Sequence, residues 1–414
     1  MNTEILNKNL QYYKFSFYGF FKNLRFFEGF LILFFLDKGI SYVEIGFLYS
    51  IREITIVLTE IPSGIIADAI GRRRTLVAAF FVYILSFLAF YFSTSFAVMA
   101  LAMLLFAFAD AFRSGIHKAM IINYLQANGM ANQKTNYYGH TRSWSQRGSA
   151  ISALIAAAIV FYSGNYQIIF LASVIPYLLD MLLVWSYPKW LDGELKNFDT
   201  LSVKEKFVQV EQGFVRTFKN PVFLKALVSM SLYTGYYKAV KDYIQPIIRM
   251  LALSVPLFAY WNDDKKTALL IGIFYFVIYM LTSRMSRGSG RFQSFFNNYF
   301  KPMNLTLIMG LAAGIVSGLV YLSGWYWIAV VAFVVILLIE NIRKPVAVSV
   351  IADLTSDSAM ATVMSLASQA ASLFAAIIAP VIGFVAGKYG PGIGIVTISL
   401  LLLAGYPIYR LSKN

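Results

Sequence analysis

The stretch "TEIPSGIIADAIGRRRT", from Thr59 to Thr75, decides how this chain is read. An acid, a proline and a glycine close one apolar run. Asp68, Gly71 and three consecutive arginines follow, and a second apolar run then opens. Lys and Arg accumulate in the cytoplasmic loops between membrane helices, and a glycine permits a tight turn. The stretch therefore reads as a short cytoplasmic connection between two membrane spans.

Working outward, apolar runs of about 20 residues recur along all 414 residues, each long enough to cross a bilayer core. Hydrophobic residues make up 59% of the chain and charged residues 13%, about half the usual globular share. The expected class is an all-α integral membrane protein with twelve spans, near 15–36, 44–69, 75–93, 96–122, 139–162, 166–187, 222–250, 267–284, 303–322, 326–352, 360–386 and 393–409. They divide into two six-helix bundles, 1–187 and 221–414, joined by the polar linker 188–220. In that linker Ser202 and Glu205 fit a capping box, and Phe207, Val210, Phe214 and Phe218 share one helical face. The pattern predicts an amphipathic helix on the membrane surface.

The loops set orientation. With both termini in the cytoplasm, the inner side holds Arg72, Arg73, Arg74, Lys204, Lys206, Arg216, Arg284, Arg287 and Arg291 among many others, while the outer side holds only Lys38, Lys265, Lys266 and Lys388. This asymmetry absorbs most of the net charge of +15 and leaves no reason to invoke nucleic acid. Cys is absent and only His117 and His140 occur, so no metal site or cofactor is expected. Asp110 with His117 is the only pairing of a catalytic kind, and an enzyme is not expected. The expected protein is a monomer in the cell's inner membrane.

A charged side chain in mid-bilayer costs at least ~2.5–3.5 kcal/mol, so such residues should face a cavity or a partner. They concentrate in spans 1, 4, 7 and 10, whereas spans 3, 9 and 12, and also 6, read as lipid-facing. Asp110, Arg113 and His117 fall on one helical stripe, as do Lys238, Lys241, Asp242, Gln245 and Arg249. Arg25 with Glu28, and Glu340 with Arg343, are i, i+3 neighbours. "DAFRSG" (Asp110–Gly115) and "ENIRKP" (Glu340–Pro345) form a weak repeat in matching spans of the two halves. Mid-span bases outnumber mid-span acids, and a guanidinium fork suits carboxylate or phosphate. The expected cargo is a small organic anion held by Arg25, Arg113, Lys118, Lys238, Lys241 and Arg343, with Tyr236, Tyr237 and Gln245 beside them. Glu28, Asp110, Asp242 and Glu340 are expected to pair with these bases or to exchange protons.

"GIIADAIGRRR" (Gly64–Arg74) resembles the signature between spans 2 and 3 of the major facilitator superfamily, G-x-x-x-D-x-x-G-[RK]-[RK]. "EIPSG" (Glu60–Gly64) is similar to a form found in many bacterial members, and "SGIHKAMI" (Ser114–Ile121) to a span 4 motif of the same subgroup. The resemblance implies secondary transport by alternating access. It also implies a gate built from Gly64, Asp68, Gly71, Arg72 and Arg73, with Asp68 and Arg72 as its latch. The chain departs from the subgroup at Lys118 and Asn123, where relatives carry acids. That departure counts against the alternative of a drug, cation or zwitterion exporter. A non-transporting receptor is a further alternative.

Overall fold

The computed structural model describes residues 8–130, 134–193, 208, 221–256, 260–296, 300–355 and 360–412. Apart from Val208, the expected linker helix lies outside the described residues. The described residues are mostly helical and contain no strand. Lipid offers no hydrogen bonds, so a crossing segment must satisfy its own backbone, which a helix does.

The helices in chain order are α1 (Leu10–Lys22), α2 (Leu31–Asp37), α3 (Tyr42–Ile70), α4 (Arg72–Tyr91), α5 (Phe96–Arg113), α6 (Ile116–Ala127), α7 (Lys134–Ser163) and α8 (Ile168–Trp185). After a 3-10 turn at Lys189–Asp192 come α9 (Pro221–Val240), a 3-10 turn at Lys241–Tyr243, α10 (Ile244–Ser254), α11 (Asp263–Ser294), α12 (Phe300–Leu322), α13 (Tyr326–Asp353), α14 (Met360–Tyr389), α15 (Pro391–Ala404) and the short α16 (Tyr406–Tyr409). Local chemistry sets several starts. Asn9 accepts from the Tyr12 amide at 3.0 Å, Asn262 accepts from the Lys265 amide at 3.0 Å, and Pro391 occupies the first turn of α15.

The twelve expected spans map onto these helices, and eight segments are long and apolar enough to cross a membrane by length and composition. The other four expected spans differ for identifiable reasons. Span 1 is not one helix: it opens over 23–30, between α1 and α2, where Arg25 turns to an acid on another helix. Span 2 is continuous as α3 but carries Glu44, Arg52, Glu53, Glu60 and Asp68. Span 7 breaks at Lys241–Tyr243, because Pro246 has no N–H to give the carbonyl four residues back. Span 12 is the 14-residue α15. Span 4 breaks as well, although α5 and α6 together still count as one crossing segment: Ser114 is extended and Gly115 has φ +77°.

The contacts define two compact units. One is Met1–Glu28 with Leu58–Lys204, and the other is Gly29–Val57 with Glu205–Asn414. In the first unit α4 packs on α5 and α8, and α1 packs on α7 and α8. Aromatic rings fill its centre: Phe27 stacks on Phe170 at 5.9 Å, and Tyr177 meets Tyr83 and Phe87 edge-on at 5.1 and 4.8 Å. In the second unit α9 packs on α14, and α13 packs on α11 and α12. Its core includes Phe223, Leu227, Met303, Val346, Val350 and Leu366.

α1 and α7 approach closely because position 148 lacks a side chain. A Cβ there would stand 2.5 Å from the Phe20 carbonyl oxygen. Gly148→Val is therefore expected to destabilise the first unit by about 1–3 kcal/mol, the usual cost of overpacking. Thermal unfolding in detergent checks this, and an unchanged melting temperature would show that the two helices can part freely.

Candidate functional site

The first unit contains a cavity of about 140 Å³ lined by Phe15, Tyr18, Gly19, Lys22, Arg113, Gly115, His117, Lys118, Ile121, Thr141, Arg142 and Ser145. No acid is among the lining residues. Its form follows from two local breaks. α1 ends at Lys22, and the turn at Ser114–Gly115 redirects the chain so that Arg113 and His117 border the same space from different helices. The stripe expected for Asp110, Arg113 and His117 is thus interrupted, yet Arg113 and His117 remain neighbours across the cavity. His117 stacks flat on Tyr18, with centroids 3.5 Å apart, and its Nε2 lies 3.1 Å from the Tyr187 hydroxyl.

Behind the cavity wall lies a shared carboxylate. Asp110 Oδ1 accepts from Arg113 Nη2 at 2.6 Å and from the Tyr83 hydroxyl at 2.6 Å, and Arg25 Nη2 is 3.6 Å away. Arg25 and Arg113, expected from sequence as cargo residues, therefore converge on Asp110. Lys22 has a different setting: it lines the cavity, and its ammonium lies 5.9 Å from the Tyr18 ring centroid.

The turn between spans 2 and 3 lies at the edge of the same unit. Gly71 has φ +108°, which favours glycine, and a Cβ there would meet the Asp192 carboxylate. Asp192 Oδ1 accepts from the Arg73 amide at 2.8 Å and so caps α4 from outside. Arg73 Nε lies 3.7 Å from Asp192 Oδ2, and its Nη1 donates to the Trp185 and Tyr187 carbonyls at 3.3 Å. Arg72 Nη2 lies 3.5 Å from Asp68 Oδ1. Gly64 lies within the continuous α3. Asp192 was not singled out from sequence; Arg73 is 119 residues away, and nothing local marks the pair. Asp192→Ala is expected to cost about 0.5–2 kcal/mol, as loss of a helix cap does, and to change transport rate more than cargo affinity. Melting and transport kinetics on one preparation check both parts.

The second unit holds its own polar network. Glu53, 2% exposed, accepts from Lys238 Nζ at 2.8 Å and from Arg52 Nη2 at 2.9 Å. Lys238 also donates to Ser372 Oγ at 2.8 Å. Asp242 accepts from the Tyr49 hydroxyl at 2.8 Å and from Lys241 Nζ at 3.0 Å. Gln245 is fully enclosed, accepting from the Ile32 amide at 2.8 Å and donating to the Tyr275 hydroxyl at 3.2 Å. The stripe expected along span 7 is thus split: Lys238 turns to Glu53, Lys241 pairs with Asp242, and Gln245 turns to Ile32 and Tyr275. Tyr236 is buried on Ser399 at 2.8 Å, and Tyr237 is half-buried beside it.

The pairing expected between Glu340 and Arg343 does not form. Arg343 is 1% exposed and donates to the Ser229 carbonyl and hydroxyl, to Thr306 Oγ1 and to the Met303 carbonyl. Glu340 instead accepts from Thr234 Oγ1 at 2.9 Å. The sequence repeat is therefore not a structural one: Gly115 breaks its span, whereas α13 runs unbroken through Pro345. Glu28 lies in the opened stretch of span 1, where its amide donates to the Arg25 carbonyl at 3.0 Å.

A many-span helical membrane protein with a polar cavity among its helices is a form that solute transporters take. The chain belongs to the Major Facilitator Superfamily, whose sequence profile matches residues 20–380. An uncharacterized MFS-type transporter of Bacillus subtilis (strain 168), YxaM, is 22% identical over 393 residues, 92% of this chain and 90% of that protein. The solved nucleoside transporter NupG is similar in fold, with TM-score 0.75 and 14% identity over 99% of this chain and 100% of that one. A D-xylose-proton symporter has TM-score 0.65 and 12% identity over 98% of each chain. A POT family transporter in complex with a thioalcohol-conjugated peptide has TM-score 0.70 and 14% identity over 96% of each chain. The chain is a multi-pass membrane transporter and not an enzyme.

Proposed function

We propose that this transporter moves a small organic anion bearing a carboxylate or phosphate across the inner membrane by alternating access, with both termini in the cytoplasm. The observation that carries this reading is the cavity of the first unit. Lys22, Arg113, His117, Lys118 and Arg142 line it, the hydroxyls of Thr141 and Ser145 stand among them, and no carboxylate does. Cations in a low-dielectric wall attract an anion. Arg25 is a positioning residue that acts through Asp110. The aromatic pair Tyr18 and His117 suits a planar portion of the cargo. The neighbours in fold are named for nucleosides, peptides and xylose, so the fold leaves the cargo to the site.

The other residues expected from sequence beside the cargo take different proposed roles. Lys238 and Lys241, each joined to an acid, are proposed to carry the response of the second unit with Asp242. Arg343, Gln245 and Tyr236 hold its core, and Glu340 is a reserve acid beside Thr234. The turn of Asp68, Gly71, Arg72 and Arg73 is proposed as the gate. The six-span halves 1–187 and 221–414 are proposed to move as bodies about the linker 188–220.

Uptake competition in proteoliposomes tests the sign of the cargo. Carboxylates and phosphate esters are expected to compete, and organic cations are not. Competition by cations alone would overturn the anion reading and favour the exporter alternative.

A further inference from the structure

The proposed gate uses Arg72 and Arg73 and leaves out Arg74, the third arginine of the run. Arg74 is exposed, and among the described residues its side chain enters no ion pair or hydrogen bond. Arg74, Val77, Ala78 and Phe81 recur at helical spacing and form one stripe of α4. α8 has one buried side, with Ser173, Tyr177, Asp180 and Val184, and one exposed side, with Ile175, Leu178, Leu179 and Leu182. Met181 and Trp185 of α8 join Arg73 and the α4 stripe in lining a groove of about 500 Å³. Arg73 Nη1 donates to the Trp185 carbonyl at 3.3 Å, so the start of α4 and the end of α8 lie at one level.

The groove is charged at one end and apolar along its body. Arg73 and Arg74 are its ionisable lining residues, and no acid lines it. Arg73 is drawn partly to Asp192, at 3.7 Å, which leaves Arg74 as the open charge. Phe81 and Trp185 stay 53% and 67% exposed, and both belong to segments apolar enough to cross a membrane. At 1.5 Å per residue, Phe81 sits roughly 13 Å along α4 from Arg72. That is about the depth of one leaflet of a ~30 Å bilayer core. A soluble anion leaves the apolar wall uncovered, and a neutral lipid leaves Arg74 without a counter-charge.

We propose that this groove binds one anionic phospholipid, with its phosphate at Arg74 and Arg73 and an acyl chain along Phe81, Met181 and Trp185. A guanidinium gives a phosphate two parallel hydrogen bonds, and basic pockets between spans on the cytoplasmic side suit anionic headgroups. In the orientation proposed above, the lipid comes from the cytoplasmic leaflet. It touches α4 and α8 together and so clamps spans 3 and 6. None of its residues lines the cavity of the first unit, so the proposal stands whatever the cargo.

Bromine quenches a nearby tryptophan, and Trp185 is the one tryptophan lining the groove. The test uses the full chain in neutral detergent, with phosphatidylglycerol or phosphatidylcholine carrying the same brominated acyl chains. Phosphatidylglycerol is expected to quench saturably and at lower concentration, and Trp185→Phe to remove the difference between the two lipids. Arg74→Gln is expected to weaken phosphatidylglycerol about 5-fold, the usual weight of one basic residue at an anionic membrane surface, and to leave phosphatidylcholine unchanged. Both side chains are exposed, so both variants should fold. The unaltered protein is also expected to melt higher with phosphatidylglycerol than with phosphatidylcholine. Excess glycerol phosphate is expected to leave the quenching in place. Equal quenching by the two lipids, or a difference that survives Trp185→Phe, overturns the site. Displacement by glycerol phosphate assigns the arginines to a free phosphate and overturns the lipid. A dimer in detergent that Phe81→Arg separates gives the groove to a second copy of the chain and overturns it as well.

Discussion

Asp110→Asn is expected to reduce transport by roughly 100-fold, the rate equivalent of about 3 kcal/mol, and to destabilise the first unit by a similar amount. The amide keeps the shape of the carboxylate and removes its charge. Arg113 and Arg25, now 2.6 and 3.6 Å from a single oxygen, would then face each other with no counter-charge. Breaking a buried ion pair from one side costs about 3–5 kcal/mol; these side chains keep 16 to 26% of their exposure, which places the effect at the low end. Asp110→Glu should recover part of both losses. Melting and proteoliposome uptake on the same preparation check the result. An Asp110→Asn protein with normal stability and normal flux would show that the cluster is ornamental.

Glu53→Gln is expected to be as damaging in the second unit, by a route that a double substitution exposes. Glu53 is the shared acceptor of Arg52 and Lys238, on helices far apart in sequence. Its removal leaves Lys238, whose side chain is 27% exposed, with Ser372 as its remaining partner, which places the loss at the low end of about 3–5 kcal/mol. Removing the lysine as well relieves that charge. The pair Glu53→Gln with Lys238→Met should therefore be more stable than the sum of the single changes by about 1.5 kcal/mol or more. Strict additivity in thermal or denaturant unfolding would mean that the contact carries no coupling.

The helical membrane fold was legible because lipid imposes a blunt rule: about 20 apolar residues between polar turns, with arginine on the inner side. The turn at Gly71 was legible for the same reason, since a glycine between Asp68 and three arginines has few other uses. The broken spans were less so. Ser114–Gly115 and Pro246 are visible punctuation, but hydropathy reads through a turn whose flanks are apolar. The site was legible as a set of charges and not as pairings. Arg113 and Asp110 meet within one helix, as spacing implied, whereas Lys238 and Glu53 meet across 185 residues and Arg73 and Asp192 across 119. Asp180 was passed over because a lone acid among leucines does not show which side of the helix it occupies. The recurrence of Ser173, Tyr177, Asp180 and Val184 at helical spacing was the available signal.

The cap that Asp192 places on Arg73 also bears on how the chain is made. The turn at Gly71 is built early in synthesis, but its acceptor comes 119 residues later. At roughly 5–20 residues per second, the ribosome reaches Asp192 some ~6–24 s after Arg73. Through that interval the Arg73 amide lacks the acceptor that Asp192 supplies. The turn itself can form from its own contacts, Gly71 to Ala67 and Thr75 to Gly71, but its outside cap is completed only once the sixth span and its trailing residues have emerged.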